Sequence, residues 1–401
     1  MDENADPDAD RVDYAPLRDA LSDDRAYDGY LLDADGEDSN QRYLSGFDAP
    51  DPFVTLWTPD GTHLLVSSLE YGRASEVADA ATVSRFADYD YRERVDEHGR
   101  SGGRARTVAA WLDDRDVAAV RTPGRFPLGP ADGLRDLGLT VATDPDDAVQ
   151  RVRARKTPTE VDHVRTAQRA NEAAMDAAVD LLRAATPDDD GVLRHEGDPL
   201  TSERVTEAIE MTLLRHGCGL DETIVACGAD AADPHDRGSG PLRVDEPIVI
   251  DVFPYDKRTG YHADMTRTYV VGDPDERVRE WHALVDEARR AALEAIEPGV
   301  TGEAVHGAAC DVFEDAGLPT LRSDPGADTG FIHSTGHGVG LDVHELPRVG
   351  PDGGELRPGH VVTVEPGLYD PAVGGIRIED LVVVTEDGYE NLTDRPTDLA
   401  P

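Results

Sequence analysis

The sequence predicts a small α/β domain over residues 1–150, followed by a larger α+β domain over residues 151–401 that repeats a unit of helix, helix and β-hairpin. Three observations carry that reading. At 401 residues with 39% hydrophobic residues, the chain is long enough for two sizeable cores. The apolar pattern changes near Gln150 from short alternating runs to long helical stripes. After that point the order of elements occurs twice.

The first ten or so residues are Asp-rich and are expected to fray. Phe53-Val54-Thr55-Leu56-Trp57, the turn Pro59-Asp60-Gly61 and His63-Leu64-Leu65-Val66 read as a hairpin. Arg104 to Leu112 reads as a helix and Val117 to Val120 as a strand, with no catalytic constellation in this domain. A long helix is expected from Pro158 to Ala185, because Val161, Val164, Ala167, Ala170 and Ala174 fall on one face. Pro187-Asp188-Asp189-Asp190-Gly191 stops it. A second helix from Ser202 to His216 precedes a strand pair over 246–271. The order then recurs as helix Glu276 to Ile296, helix Gly302 to Ala316 and strands from about His360 to Val384. Leu200-Thr201-Ser202-Glu203 and Val300-Thr301-Gly302-Glu303 open the two second helices alike, so a site is expected where the hairpins meet.

Asp+Glu number 83 against 39 Lys+Arg, a formal net charge of -44, which disfavours nucleic acid and anionic lipid as partners. Lys156 and Lys257 are the only lysines. Molar salt shrinks the Debye length to roughly 3 Å and relieves the self-repulsion of such a surface, so the composition reads as that of an extreme halophile. Long apolar runs argue against a disordered acidic chain. No stretch is apolar enough to span a bilayer, and Met1-Asp2-Glu3-Asn4 lacks the start of a signal peptide, which makes the cytoplasm the expected compartment. Cys218, Cys227 and Cys310 read as separate small thiols.

Each hairpin carries two acids where acids are costly. Asp251 follows Pro247-Ile248-Val249-Ile250, and Asp264 sits 13 residues later in Tyr261-His262-Ala263-Asp264-Met265. Glu365 ends Val361-Val362-Thr363-Val364, and Glu379 follows 14 residues later in Ile376-Arg377-Ile378-Glu379. These spacings are expected to set each pair side by side across its ladder. Four carboxylates in apolar strands need a counter-charge, which one or two divalent cations supply. His333, His337 and His344 are spaced by 4 and 7 residues, with glycines around the middle one that allow close backbone approach, so His337 is the candidate imidazole ligand. Oxygen-rich ligands with one imidazole favour manganese, cobalt or iron over a closed structural zinc site.

These residues resemble the pita-bread metallopeptidases, which include Xaa-Pro aminopeptidase, prolidase, methionine aminopeptidase and creatinase, and the resemblance spans nearly the whole chain. It implies that Asp251, Asp264, His337, Glu365 and Glu379 hold two divalent metal ions, Mn2+ or Co2+ with Fe2+ or Zn2+ as alternatives, and that Asp264 and Glu379 bridge them. It further implies a hydroxide shared by the metals as nucleophile and Glu365 as proton shuttle. His235 and His344 match substrate-side histidines, His333 a pocket-lining residue, and Arg377 a residue that orients the Glu379 carboxylate or touches substrate. Arg348 matches an arginine that binds a dipeptide's carboxylate in prolidases. The family usually spaces its first two aspartates by 11. The extra two residues here are expected to lengthen the turn near Lys257-Arg258-Thr259 without changing which face each acid occupies. The implied function is hydrolysis of the Xaa-Pro bond of dipeptides or peptide N-termini by a homodimer. The alternatives are a non-catalytic pita-bread binding module and a creatinase-like C–N hydrolase.

Overall fold

In a computed structural model that describes residues 10–22 and 26–401, the chain forms two compact units. One is Val12–Arg153. The other is Ala154–Pro401 and also takes in Asp10 and Arg11. Most of the Asp-rich start lies outside the described residues.

The first unit is built on six strands, β1 (Gly29–Ala34), β2 (Phe53–Thr58), β3 (Gly61–Val66), β4 (Thr82–Arg85), β5 (Ala119–Thr122) and β6 (Thr140–Thr143), in the order β4-β3-β2-β1-β5-β6. β2 and β3 form the expected hairpin, turning at Pro59 and Asp60. Leu31, Val54, Leu56 and Leu65 share a core with Val108, Trp111 and Leu112 of helix α1 (Tyr91–Asp113). Only the last part of α1 was visible as a helix in the sequence. Gly99, Gly102 and Gly103 weaken its middle, and Gly99 adopts φ 74°, a left-handed value that bends the helix and that glycine tolerates. The strand expected over 117–120 runs two residues later, as β5.

The second unit repeats a helix pair in front of a sheet. Helix α2 (Pro158–Ala184) opens with a capping box in which the Glu160 N–H donates to Thr157 Oγ1 at 3.3 Å and the Thr157 N–H donates to Glu160 Oε2 at 2.7 Å. It packs with helix α3 (Ser202–Arg215) on a sheet of β7 (Thr223–Cys227), β8 (Ile248–Val252) and β9 (Met265–Tyr269), ordered β7-β8-β9. Helices α4 (Glu276–Glu294) and α5 (Gly302–Asp315) cover the second sheet. Its strands are β10 (Gly336–Gly338), β11 (Glu345–Val349), β12 (Val361–Val364), β15 (Asp380–Thr385) and β16 (Gly388–Asn391), in the order β11-β10-β12-β15-β16. Between β12 and β15 lies a separate hairpin, β13 (Gly367–Asp370) with β14 (Gly374–Arg377). The matched openings of α3 and α5 have one cause: Thr201 and Thr301 are both N-caps, accepting from the N–H groups of Arg204 and Ala304.

Each half keeps its own apolar core, and its strands read as unbroken apolar runs because one face of the sheet is covered by helices and the other carries the candidate site. The expected strand pairs are present as β8–β9 and β12–β15, but each is widened by strands the sequence did not reveal. The turn between β8 and β9 is more than a lengthened loop. Tyr255–Asp256 pairs with Cys218–Gly219, and the Asp256 carboxylate accepts from the N–H groups of Arg258 and Thr259. Cys218, Cys227 and Cys310 form no disulfide. Among the described residues no helix is long and apolar enough to cross a membrane.

Candidate metal centre

The candidate ligands lie where the two halves' strands meet. Asp251 is the fourth residue of β8 and faces Thr266 across the ladder, so Asp264, two residues before Thr266, falls on the same face but diagonally. Val364 of β12 pairs with Asp380 of β15, and one step further along that register sets Glu365 opposite Glu379, just past the last paired residues. The acids therefore sit at the ladder ends, and the first pair is offset instead of side by side. Ladder ends leave room for a group between the carboxylates.

Backbone hydrogen bonds fix these positions, one of them joining the two halves and one lying within the second half. The Glu379 N–H donates to Thr266 O at 3.0 Å, and the Glu365 N–H donates to Thr335 O at 2.8 Å. Thr266 Oγ1 donates to Glu379 Oε2 at 2.8 Å. His337 enters on β10, where glycine is required on both sides: a Cβ at Gly336 would lie 2.0 Å from Thr363 O, and one at Gly338 2.1 Å from Leu346 O. The His337 N–H donates to Thr363 Oγ1 at 3.1 Å, and Nδ1 lies 3.2 Å from Gly338 O. With Nδ1 directed at a carbonyl, Nε2 faces the acids, 3.2 Å from Glu365 Oε1 and 3.7 Å from Asp264 Oδ2.

Asp264, His337 and Glu379 each offer a ligand atom within 4.8 Å of the others, and Asp251 and Glu365 act electrostatically on the same group. Burial and the charges of Asp251 and Glu365 hold the Asp264 carboxyl well above the usual range. Burial and the charge of Asp264 do the same to Glu379. Burial also raises Glu365, but the hydrogen bond and charge of His337 outweigh it and pull the carboxyl down to about 2. Burial opposes the charged form of His337, yet the hydrogen bond and charge of Glu365 win and lift it to about 9. So dense a set of buried acids gathers positive charge, here protons.

Two observations fit divalent cations at this place. Asp251 Oδ1 and Glu379 Oε1 are buried without a hydrogen-bond partner, an arrangement costing roughly 1–3 kcal/mol per group or more for a charge. The donors are carboxylate oxygens plus one imidazole, which suits manganese, cobalt or iron.

Arg377 was expected to orient the Glu379 carboxylate or to touch substrate. Its guanidinium donates to Asp251 Oδ2 at 2.7 Å, to Tyr369 Oη at 2.9 Å and to Thr266 Oγ1 at 3.1 Å. Arg377 belongs to the β13–β14 hairpin, so it meets Asp251 of β8 directly and Glu379 through Thr266, whose hydroxyl donates to Glu379 Oε2. Tyr369, fully buried, went unnoticed in the sequence, as did Thr266. Its hydroxyl donates to His333 Nε2 at 2.9 Å while His333 Nδ1 meets Ser334 O at 2.7 Å, a proton arrangement assigned from the network. Both ring nitrogens of His333 are thus engaged, and its ring lies edge-on to Phe331, 5.1 Å between centroids. The only signal for Tyr369 was an aromatic residue four positions after Glu365.

Of the other candidates, exposed His344 stands 4.3 Å from His337, centroid to centroid. His235 lies in an exposed turn after a short 3-10 helix, near His333 and His344, whose protonation is disfavoured by burial first of all. Arg348 is the cross-strand partner of His337 on β11 and is exposed. A wide cleft of ≈ 1130 Å³ lies within the first unit, around Asp33, Phe86, Arg104 and Pro127, and there Asp33 is already paired with Arg104.

A duplicated α+β fold with an acid–imidazole set at the junction of its halves is that of a metal-dependent hydrolase. The chain belongs to metallopeptidase family M24, whose model matches residues 162–386, and the creatinase/prolidase N-terminal domain matches residues 15–118. It is 38% identical over 297 residues to a probable dipeptidase PepE of Mycobacterium tuberculosis, covering 73% of this chain and 72% of that one. It is similar to the crystal structure of the prolidase from Pyrococcus horikoshii, with a TM-score of 0.77, 26% identity and coverage of 96% and 99%. It is also similar to the X-Pro aminopeptidase from Thermotoga maritima, with a TM-score of 0.76, 26% identity and coverage of 93% and 97%. The larger unit has the pita-bread fold.

Proposed function

We propose that this chain is a metallo-exopeptidase that hydrolyses the Xaa-Pro bond of dipeptides. The observation that carries the reading is the meeting of Asp264, His337 and Glu379 at one place, with Glu365 against His337, Asp251 acting on the same group, and two buried carboxylate oxygens left for a cation. These five would hold two divalent ions, Mn2+ or Co2+. Bound there, the ions supply Lewis acidity toward a scissile carbonyl and favour ionisation of water at neutral pH.

The chain's own residues do the rest. Glu365 accepts a proton from the attacking water and delivers it to the leaving nitrogen. His344, at the exposed edge beside His337, donates a hydrogen bond to the scissile amide or the developing oxyanion. His235 and His333 bound the substrate side, the latter held rigid by Tyr369. Arg377 fixes Asp251 through charge-assisted hydrogen bonds and leaves its other oxygen for a metal. A homodimer acting on short peptides is expected, a reading that rests on the family resemblance.

Arg348 decides substrate length. It shares a face with His337 as its cross-strand partner, and its side chain makes no ion pair or hydrogen bond among the described residues, so its fork remains for a substrate carboxylate. Arg348→Ala is expected to raise KM for an Xaa-Pro dipeptide by about tenfold or more, and for an Xaa-Pro tripeptide, whose carboxylate lies one residue further out, by much less. Steady-state kinetics on both substrates checks this. Equal effects would shift the reading to an aminopeptidase, the activity named for the Thermotoga maritima neighbour.

A further inference from the structure

We propose that Lys156 is a positioning residue for the site: paired with Glu345, it holds in register the strand that presents His344 and Arg348. The inference rests on the proposed roles of those two residues and adds a group remote from the ligands.

The starting point is composition. Of the two lysines, Lys257 is exposed, as surface cations usually are, whereas Lys156 is buried, with 1% of its side chain accessible and 2% of that of Glu345, its ion-pair partner. A buried ion pair is seldom a net stabiliser, since stripping water from both charges offsets their attraction. Its presence needs another reason, and so does the choice of lysine in a chain whose other cations, Lys257 apart, are arginines.

The surroundings of Glu345 supply both. A Cβ on Gly340 would come within 2.1 Å of Glu345 Oε1, so the carboxylate is wedged against the backbone of the loop that follows His337. Glu345 is also the cross-strand partner of Gly338, next to His337. Gly340 O in turn accepts from the His262 N–H at 2.7 Å, which ties this loop to the segment leading into Asp264. Opposite, the Lys156 N–H donates to Gly359 O at 2.8 Å and its Nζ to Ala154 O at 3.4 Å. An ammonium on a thin stem fits between two backbones, and a planar guanidinium with five N–H groups does not. The pair therefore clamps the start of β11 between the segment before β12 and the loop after β10. His344 precedes Glu345 directly and Arg348 follows three residues on.

Displacements of about 1 Å at a catalytic group cost on the order of 100-fold, so loosening this clamp is expected to act on turnover more than on metal binding. The test uses the full-length, metal-loaded protein in high salt with Lys156→Met, Lys156→Arg, Glu345→Gln and the double variant Lys156→Met/Glu345→Gln. Lys156→Met is expected to lower kcat on an Xaa-Pro dipeptide by about 10- to 100-fold with its metal content unchanged. The double variant is expected to be no worse than Lys156→Met, because the two residues act as one unit. Lys156→Arg keeps the charge and reads geometry alone; it too is expected to lose turnover, and it stands in if Lys156→Met does not fold. A kcat within about twofold of the parent in every variant, or losses that multiply in the double variant, would overturn the proposal. A readout independent of catalysis accompanies this: the side-chain NMR signal of His344, assigned through His344→Gln, is expected to shift in Lys156→Arg. A signal that stays in place overturns the inference even if the parent cleaves no Xaa-Pro substrate, whereas an inactive parent alone would fail the proposed function.

Discussion

Glu379→Gln and Asp264→Asn are each expected to reduce kcat/KM by more than about 100-fold, since even residues that only support metal ligands typically cost 10- to 100-fold when removed. That is about 2.7 kcal/mol or more of transition-state stabilisation. Both changes are nearly isosteric and remove one negative charge from the centre of the acid set. With both carboxyls pushed well above their usual range by burial and by neighbouring carboxylates, Asp251 and Glu365 acting on Asp264 and Asp264 acting on Glu379, an amide in either place relieves repulsion in the metal-free protein. The metal-free variants are therefore expected to melt no lower than the metal-free parent, while the gain in melting temperature on adding Mn2+ or Co2+ shrinks with their weaker binding. Kinetics and calorimetry on the same preparations separate lost chemistry from lost fold. Variants with parental activity would show that these carboxylates are structural.

Salt should have an equally large effect. Lowering it from the molar range to about 0.1 M lengthens the Debye screening distance from about 3 to about 10 Å, so each surface acid begins to repel neighbours that salt had hidden. With a net charge of -44 over 401 residues, the folded state is expected to lose several kcal/mol, a drop in melting temperature of roughly 10 °C or more for units of this size. Buried pairs such as Lys156–Glu345 and the Arg267–Asp380–Arg289 cluster are shielded from solvent ions and should contribute little to this dependence. Melts across a salt series read the effect directly, and a melting temperature independent of salt would remove the halophilic reading.

The contrast between what the sequence revealed and what it hid has a physical basis. Asp251, Asp264, Glu365 and Glu379 stood out because a carboxylate in a run of Val and Ile is costly to bury and rarely occurs without a reason. His337 stood out because glycines on both sides mark close backbone approach, and Gly336 and Gly338 do contact neighbouring carbonyls. The duplication was legible through its helices, whose Thr201 and Thr301 caps recur at matching places. Tyr369 and Thr266 were not, since a buried tyrosine or threonine costs little and leaves no local anomaly. Their roles arise from neighbours far along the chain, such as Arg377 with Tyr369 or Thr266 with Glu379. Arg377 itself was visible, but its partner was not, because adjacency along a strand does not say which neighbouring strand a long side chain will reach. β10 is only three residues long, too short for any period to register.

The central claim, that these five side chains form a metal-dependent exopeptidase site, is tested most directly by stripping the protein with a chelator in high salt and titrating Mn2+ or Co2+ back. Hydrolysis of an Xaa-Pro dipeptide and metal bound per chain would be followed together. The expected result is no turnover in the stripped protein and activity that rises with bound metal and levels off near two ions per chain. Full activity in demonstrably metal-free protein, or metal binding that restores none, would contradict it.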